Sequence, residues 1–253
     1  MTGQRIATRA AAFAAVAVLA VTGGAVAQAD DDIESLPAEQ IADRSRDALL
    51  DVGSLRLRAQ GDLGKGRSPM TVDLSLDRGG NCAGGVDLGE GKGKVEIIKH
   101  GDSVWVKPDA DFWENQVPVG GSAFESVLAG RYLKGSASDP RLRPVVDACD
   151  LDTFQKLVSD NADSNAGTFT KGKVTTVDGV RTVPVTRTLH GQELTAYVDT
   201  GGEHRPVRIT VRGDGADAAV GFSAFDEPVP TATPSADDTV DVSAVLGRGP
   251  AQS

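Results

Sequence analysis

The strongest constraint in this sequence is a change of hydrophobic period near residue 53. Between Pro37 and Val52, the residues Ile41, Ser45, Ala48, Leu49 and Val52 recur at helical spacing, and Glu39, Asp43, Arg44, Arg46, Asp47 and Asp51 cover the other side. That pattern is an amphipathic helix, with Gly53 where a C-terminal cap would stand. From Leu55 the period drops to two. Leu55, Leu57 and Ala59 alternate with Arg56, Arg58 and Gln60, and Met70, Val72, Leu74 and Leu76 alternate with Thr71, Asp73, Ser75 and Asp77. Such alternation marks strands with one dry and one wet face. A chain that begins this way needs a sheet whose single apolar face is covered by something else.

The strand pattern continues. Asn81–Leu88, Lys94–Lys99 and Ser103–Lys107 read as further strands, and His100-Gly101-Asp102 reads as a tight turn. The middle of the chain differs. Ala110–Gln116, Ser122–Leu128 and Asp152–Asp160 read as short helices, with Asp152 as the N-cap of the last and Arg131–Lys134 as a short strand between them. This block holds Phe112, Trp113, Phe124, Tyr132 and Phe154. Strands return over Thr168–Val177, Val180–Leu189, Glu193–Asp199, Pro206–Arg212 and Ala216–Phe225. Asp178-Gly179 between two of them is a hairpin signal. From Asp226 the sequence turns rich in Pro, Thr and Ser, which reads as a disordered tail over residues 227–253.

The first 29 residues read as a cleavable signal peptide. Arg5 and Arg9 form a basic start, Ala10–Ala20 is an apolar run, and Ala27-Gln28-Ala29 is a small-residue ending. A cut after Ala27 also fits, and an uncleaved anchor is the alternative, although the run is short for a bilayer span. This reading places the protein outside the cytoplasm, secreted or in the cell envelope. It leaves residues 30–37 as a flexible lead-in and 38–226 as one domain. No second stretch is long enough to cross a membrane.

Cleavage removes two Arg, leaving 24 Lys and Arg against 36 Asp and Glu, a net charge of −12. Such a surface opposes nucleic-acid binding and simple adsorption to anionic lipid. Cys82 and Cys149 are the two cysteines, and in an exported chain a pair is most simply a disulfide, the alternative being two buried thiols.

No catalytic constellation emerges. The sequence has no G-x-S-x-G elbow, no H-E-x-x-H, no phosphate loop and no dinucleotide fingerprint. The glycines of 84–93 lack a phosphate-cradling spacing. His100, His190 and His204 stand in turn-like sequence. His190 and Glu193 lack a neighbouring nucleophile or metal, and Asp30, Asp31 and Asp32 read as a solvated acidic run. The expectation is a non-enzymatic protein with no metal and no cofactor.

The order helix, antiparallel strands, helical insertion, antiparallel strands, Pro-rich exit resembles the LolA/LppX-type exported carriers. Ala48–Gly61 (ALLDVGSLRLRAQG) resembles the helix-to-strand passage of the actinobacterial LppX/LprG-like group. Val95–Trp113 resembles its "strand, turn, x-W-V-K, F-W" passage. Leu194–Asp199, Gly202, Pro206-Val207-Arg208 and Phe222–Pro228 resemble its final strands, and Cys149 before a Leu-containing helix fits relatives with a Cys pair. The resemblance covers roughly residues 38–235. It implies an α+β fold, a strongly curved antiparallel half-barrel with a helical lid and an apolar cavity for acyl chains. Members of the group carry lipoproteins, glycolipids or other lipids, or sense them. The expected ligand is therefore a lipid or other apolar molecule, with an RseB-like envelope-stress or protein-interaction module as the alternative and an envelope protein as its partner. Many actinobacterial relatives have a lipid-bearing Cys after the signal, whereas this chain has Ala29-Asp30. Met70, Val72, Leu74, Leu76, Val207, Ile209 and Val211 are the candidates for the cavity face.

Overall fold

The computed structural model describes residues 32–63, 69–117, 119–128, 130–162, 168–189 and 191–246. The stretch read as a signal peptide lies outside them. The described chain begins with a short 3₁₀ turn, Ile33–Ser35, and the helix α1 (Ala38–Asp51). Five strands follow: β1 (Ser54–Leu63), β2 (Met70–Asp77), β3 (Cys82–Asp87), β4 (Lys94–His100) and β5 (Ser103–Pro108). Then come α2 (Ala110–Gln116), α3 (Gly121–Leu128), β6 (Tyr132–Ser136), α4 (Arg143–Ala148) and α5 (Leu151–Ala162). The second strand run is β7 (Phe169–Lys171), β8 (Thr175–Val177), β9 (Val180–Leu189), β10 (Gln192–Asp199), β11 (Pro206–Gly213) and β12 (Ala216–Ser223). The described chain closes with β13 (Thr239–Asp241) and α6 (Val242–Leu246).

These thirteen strands form one curved, unclosed sheet in the order β13-β6-β5-β4-β3-β2-β1-β12-β11-β10-β9-β7, with β8 also on β9. Among the described residues, every pairing is antiparallel except β13 on β6. The two strand runs therefore meet in the middle, where β1 pairs with β12. The expected α+β half-barrel is the observed architecture. Strand glycines mark the tightest approaches. Gly84, at φ 149°, would bring a Cβ within 2.0 Å of the Asp73 carbonyl oxygen, so no side chain fits there. Asp178 and Gly179, both at positive φ, make the two-residue hairpin between β8 and β9.

The helices lie on the apolar face of the sheet. Ile41, Ser45 and Leu49 of α1 are buried, as the helical stripe requires, and α1 packs on β7, β9, β10 and β11. Helix α5 lies beside α1. The buried Gln155 amide donates to the Leu49 and Val52 carbonyls, each at 3.1 Å, and so satisfies two acceptors at the C-terminal end of α1. Cys82 of β3 and Cys149 before α5 form a buried disulfide that ties the helical layer to the sheet. Two apolar clusters result. The larger joins Leu49, Val52, Leu55, Leu74, Leu76, Ile97 and Val106 with Leu151 and Phe222. The smaller joins Ile33, Ile41, Val183, Val185 and Val198.

Four expectations need correcting. The lead-in is not wholly flexible, because Ile33 is fully buried and Asp32 caps its turn through the Glu34 N–H at 3.2 Å. The 227–253 tail is structured through residue 246. Its backbone is anchored where Ser54 donates to the Glu227 carbonyl at 2.6 Å, Val229 is buried, and β13 adds to the edge of β6. Pro/Thr/Ser-rich composition suits an extended strap as well as a disordered tail. The cap of α5 is Asp150, which accepts from the Thr153 N–H at 3.1 Å, rather than Asp152. Finally, α4 went unforeseen, since Pro144 sits in its first turn and its length is only six residues.

Candidate functional site

Register assigns the two faces of the sheet, because directly paired residues point the same way. On the inner face, burial falls in steps along the strands. The row Leu55, Leu76, Cys82, Lys99 and Val104 lies at the closed end, and its apolar members are fully or almost fully buried. The next row, Phe222, Leu57, Leu74, Gly84, Ile97, Val106 and Leu133, is largely buried.

The third row changes character. Ala196, Ile209, Val220, Ala59, Val72, Val86 and Val95 pair in sequence across β10, β11, β12, β1, β2, β3 and β4. Every one is apolar and only half-buried. The ends of this row, Val185 on β9 and Pro108 on β5, are buried. Seven strands from β10 to β4 make the half-buried row roughly 29 Å wide at the usual strand spacing. A fourth row lies beyond it: Phe169, Arg187, Leu194, Val211, Ala218, Gly61 and Met70. All but Ala218 are half-buried.

The helices also carry half-buried side chains. Phe154 and Val158 of α5, Phe112 of α2 and Phe124 of α3 pack against the larger cluster without being closed off from solvent. Phe154 meets Phe222 at 6.2 Å between ring centres. Trp113, buried, meets Phe112 edge-on at 5.7 Å and Phe124 at 5.8 Å, which fixes α2 against α3. These half-buried side chains and rows border the larger cluster, whose fully buried end holds the disulfide and its neighbours.

The seven residues expected on the cavity face divide between these zones. Leu74 and Leu76 belong to the sealed core. Val72 and Ile209 stand in the half-buried third row, and Met70 and Val211 in the fourth. Val207 is half-buried next to the register shift between β10 and β11, and it lines a depression of about 350 Å³ with Arg56, Arg58 and Arg208. Sequence reading omitted Ala59, Val86, Val95, Ala196, Leu194 and Val220. Their period-two signal was present, but only register aligns them into rows.

The outer face is charged. Asp73 accepts from Arg56 Nε at 2.7 Å and from Arg58 Nη2 at 2.5 Å. The Arg56 hydrogen bonds hold the Asp73 carboxyl below its usual range, against the opposing effect of burial, and Arg58 adds to the lowering. Glu96 accepts from Tyr132 Oη at 2.6 Å and pairs with Lys107 at 2.9 Å. A second depression of about 540 Å³ runs over β2, β3 and β4 on this face, with Pro230 of the C-terminal strap at its edge.

Of the histidines, His100 is exposed, and His204 sits at φ 57° with Nδ1 3.3 Å from the Asp199 carbonyl oxygen. His190 lies outside the described residues. Among the described residues, no helix is long and apolar enough to cross a membrane.

This curved sheet has solved counterparts. LprF from Mycobacterium bovis superposes with a TM-score of 0.53 at 15% identity, over 78% of this chain and 96% of that one. The fold is LolA/LppX-like. The lipoprotein LppX of Mycobacterium tuberculosis aligns over 77% of this chain and 98% of that one, at 13% identity and a TM-score of 0.46. The Pseudomonas aeruginosa MucA/MucB complex aligns over 79% of this chain and 59% of that one, at 12% identity and a TM-score of 0.31. No family model and no curated protein matches the chain. In LolA/LppX-like terms, the helical lid here is α1, α5 and the α2–α3 pair, and the disulfide ties it to the sheet.

Proposed function

We propose that this protein is an exported, non-enzymatic binder or carrier of acyl-chain ligands, and that the ligand chain lies along the third and fourth rows of the inner face. The observation that carries the reading is the continuous half-buried apolar row from Ala196 to Val95. Apolar surface left half-covered is a cost in water, and a ligand chain that covers it recovers about 25 cal/mol per Å² of buried area. Covalent chemistry is not needed for such work. Among its described residues, the cleft gathers no nucleophile, base and orienting group of the kind catalysis uses.

A second reading, an RseB-like interaction module, has its own observation. Val119 is 86% exposed, and Val127 on α3 and Leu157 on α5 are also exposed. Exposed apolar groups on a lid suit a contact with an envelope protein.

Native mass spectrometry of the protein purified from its own envelope or culture medium separates the two. An acyl-chain species carried at near one-to-one is the expected result. A clean protein mass, with no lipid taken up on incubation, overturns the carrier reading in favour of the interaction module.

A further inference from the structure

The outer face holds a feature that acyl-chain binding does not use. Across β11, β12, β1 and β2 one of its rows reads Arg208, Gly221, Arg58 and Asp73. Gly221 is therefore a gap between two arginines that stand two strands apart, roughly 10 Å at the usual strand spacing. Arg56 is the next outward residue along β1, paired with Ser223. These three arginines line a depression of about 350 Å³ together with Ser223 and the small residues Gly221 and Ala219. Nothing in the backbone asks for glycine at 221. Gly61 and Gly84 have positive φ, and a Cβ there would come within 2.2 Å of a carbonyl oxygen. Gly221 has no positive φ, and its Cβ would meet only the Arg58 and Val207 carbonyl oxygens, both at 3.9 Å. Glycine weakens a strand, yet here it buys no fit with the fold; what it leaves is open space between cations. The guanidiniums are held but not used up. Arg56 and Arg58 donate to Asp73 through Nε and Nη2, and Arg208 donates to Asp178 through Nη2 alone, at 2.6 and 2.7 Å. Among the described residues, the Nη1 groups of all three have no hydrogen-bond partner. Three cations against two carboxylates leave one net positive charge here, on a chain whose sum is −10.

We propose that this depression binds a phosphate group, free or borne by a small solute, and that Arg56, Arg58 and Arg208 hold it over Gly221. A guanidinium has five N–H donors, so each arginine can keep its carboxylate and still donate to a ligand. A phosphate carries its terminal oxygens in three directions, so it can accept from the β1 arginines on one side and the β11 arginine on the other. A planar carboxylate suits a single guanidinium fork. Asp73 and Asp178 already fix the arginine side chains, so less freedom is lost when the anion docks. The volume lies at the small end of ligand sites, which fits a phosphate with a short substituent. The site stands on the opposite face of the sheet from the apolar rows and does not depend on the acyl-chain reading.

The test is an amide NMR titration of the mature chain, at constant ionic strength, with inorganic phosphate, glycerol 3-phosphate and acetate. Saturable shifts centred on Gly221, Arg58 and Arg208 are expected with one or both phosphates, at least about tenfold tighter than with acetate, the scale of a hydrogen bond to a charged group. Tighter binding of the ester identifies a phosphorylated solute as the ligand, and tighter binding of inorganic phosphate identifies the free ion. Gly221→Leu fills the gap and should abolish saturable binding with the melting temperature unchanged. Arg208→Gln should weaken phosphate at least about tenfold. Arg212→Gln removes the same charge from the same strand outside the depression and should leave the affinity within about twofold, since exposed charges are screened by salt. A melting curve on each variant confirms folding, and Arg208→Gln against Arg212→Gln carries the test if Gly221→Leu does not fold. Absence of saturable shifts in the wild type, acetate binding as tightly as phosphate, or equal losses in Arg208→Gln and Arg212→Gln each overturns the site. So does unchanged phosphate binding in a folded Gly221→Leu. None of these outcomes bears on the acyl-chain reading.

Discussion

The sealed and open halves of the inner face share one sequence pattern and do different things. Leu74 and Leu76 near one end and Met70 and Val72 near the other belong to a single alternating strand, yet the first pair is core and the second is half-buried. The difference comes from what lies opposite. The sealed half is joined in one cluster with Leu151, Cys149 and the C-terminal end of α1, whereas the half-buried rows, like the side chains of α5, α2 and α3 at the margin of that cluster, keep part of their surface in solvent. Alternation thus decides which face of a strand is dry, and the lid decides whether that face is filled.

Breaking the seal should have the largest effect. Replacing Cys82 and Cys149 by Ser removes a bridge between positions 67 apart in sequence, for a loss of about 4 kcal/mol in the chain-entropy model, measured by denaturant unfolding. Leu76→Ala leaves a cavity in the fully buried row and should cost about 3 kcal/mol. Gln155→Ala strips a buried amide from two carbonyls of the α1 end, for about 1 to 2 kcal/mol. Val72→Ala, by contrast, should cost only about 0.8 kcal/mol, half of a full burial, and should weaken acyl-chain binding more than it shifts the melting temperature. If Val72→Ala is as destabilising as Leu76→Ala, the two halves are one packed core.

The smallest effect concerns the outer face. Asp73 has a lowered pKa in the folded state, chiefly through its hydrogen bonds from Arg56. A lowered carboxyl contributes stability above its unfolded value of about 4, and that contribution is lost as pH falls through the folded value. The pair is partly exposed, so the effect should stay under about 1 kcal/mol. Asp73→Asn should flatten the acid limb of the stability curve by that amount and leave neutral ligand binding unchanged.

Much of the fold was legible because period is local. The helix ending near Val52, the strands around Leu55, Leu74 and Ile209, and the Asp178-Gly179 hairpin all announce themselves within a few residues. What was not legible depends on distant partners. No local signal tells that Leu76 pairs with the buried Cys82 while Val72 pairs with Val86 in a half-buried row. Thr168–Val177 reads as one strand, yet it is two three-residue strands that both pair with β9. The strap after Asp226 has the composition of a tail, and its order comes from the edge of β6 and from Asp226, which accepts from the Gly53 N–H at 2.8 Å.

The central claim is that an acyl chain lies in the open half and not in the sealed one. The most direct measurement is methyl NMR of the protein with a spin-labelled fatty acid, which broadens resonances near the label. The account predicts strong broadening at Val72, Val86, Ile209, Val211 and Val220, with Leu76, Ile97 and Val104 sharp. Broadening confined to the exposed Val119 and Val127, or none at the third and fourth rows, would contradict it.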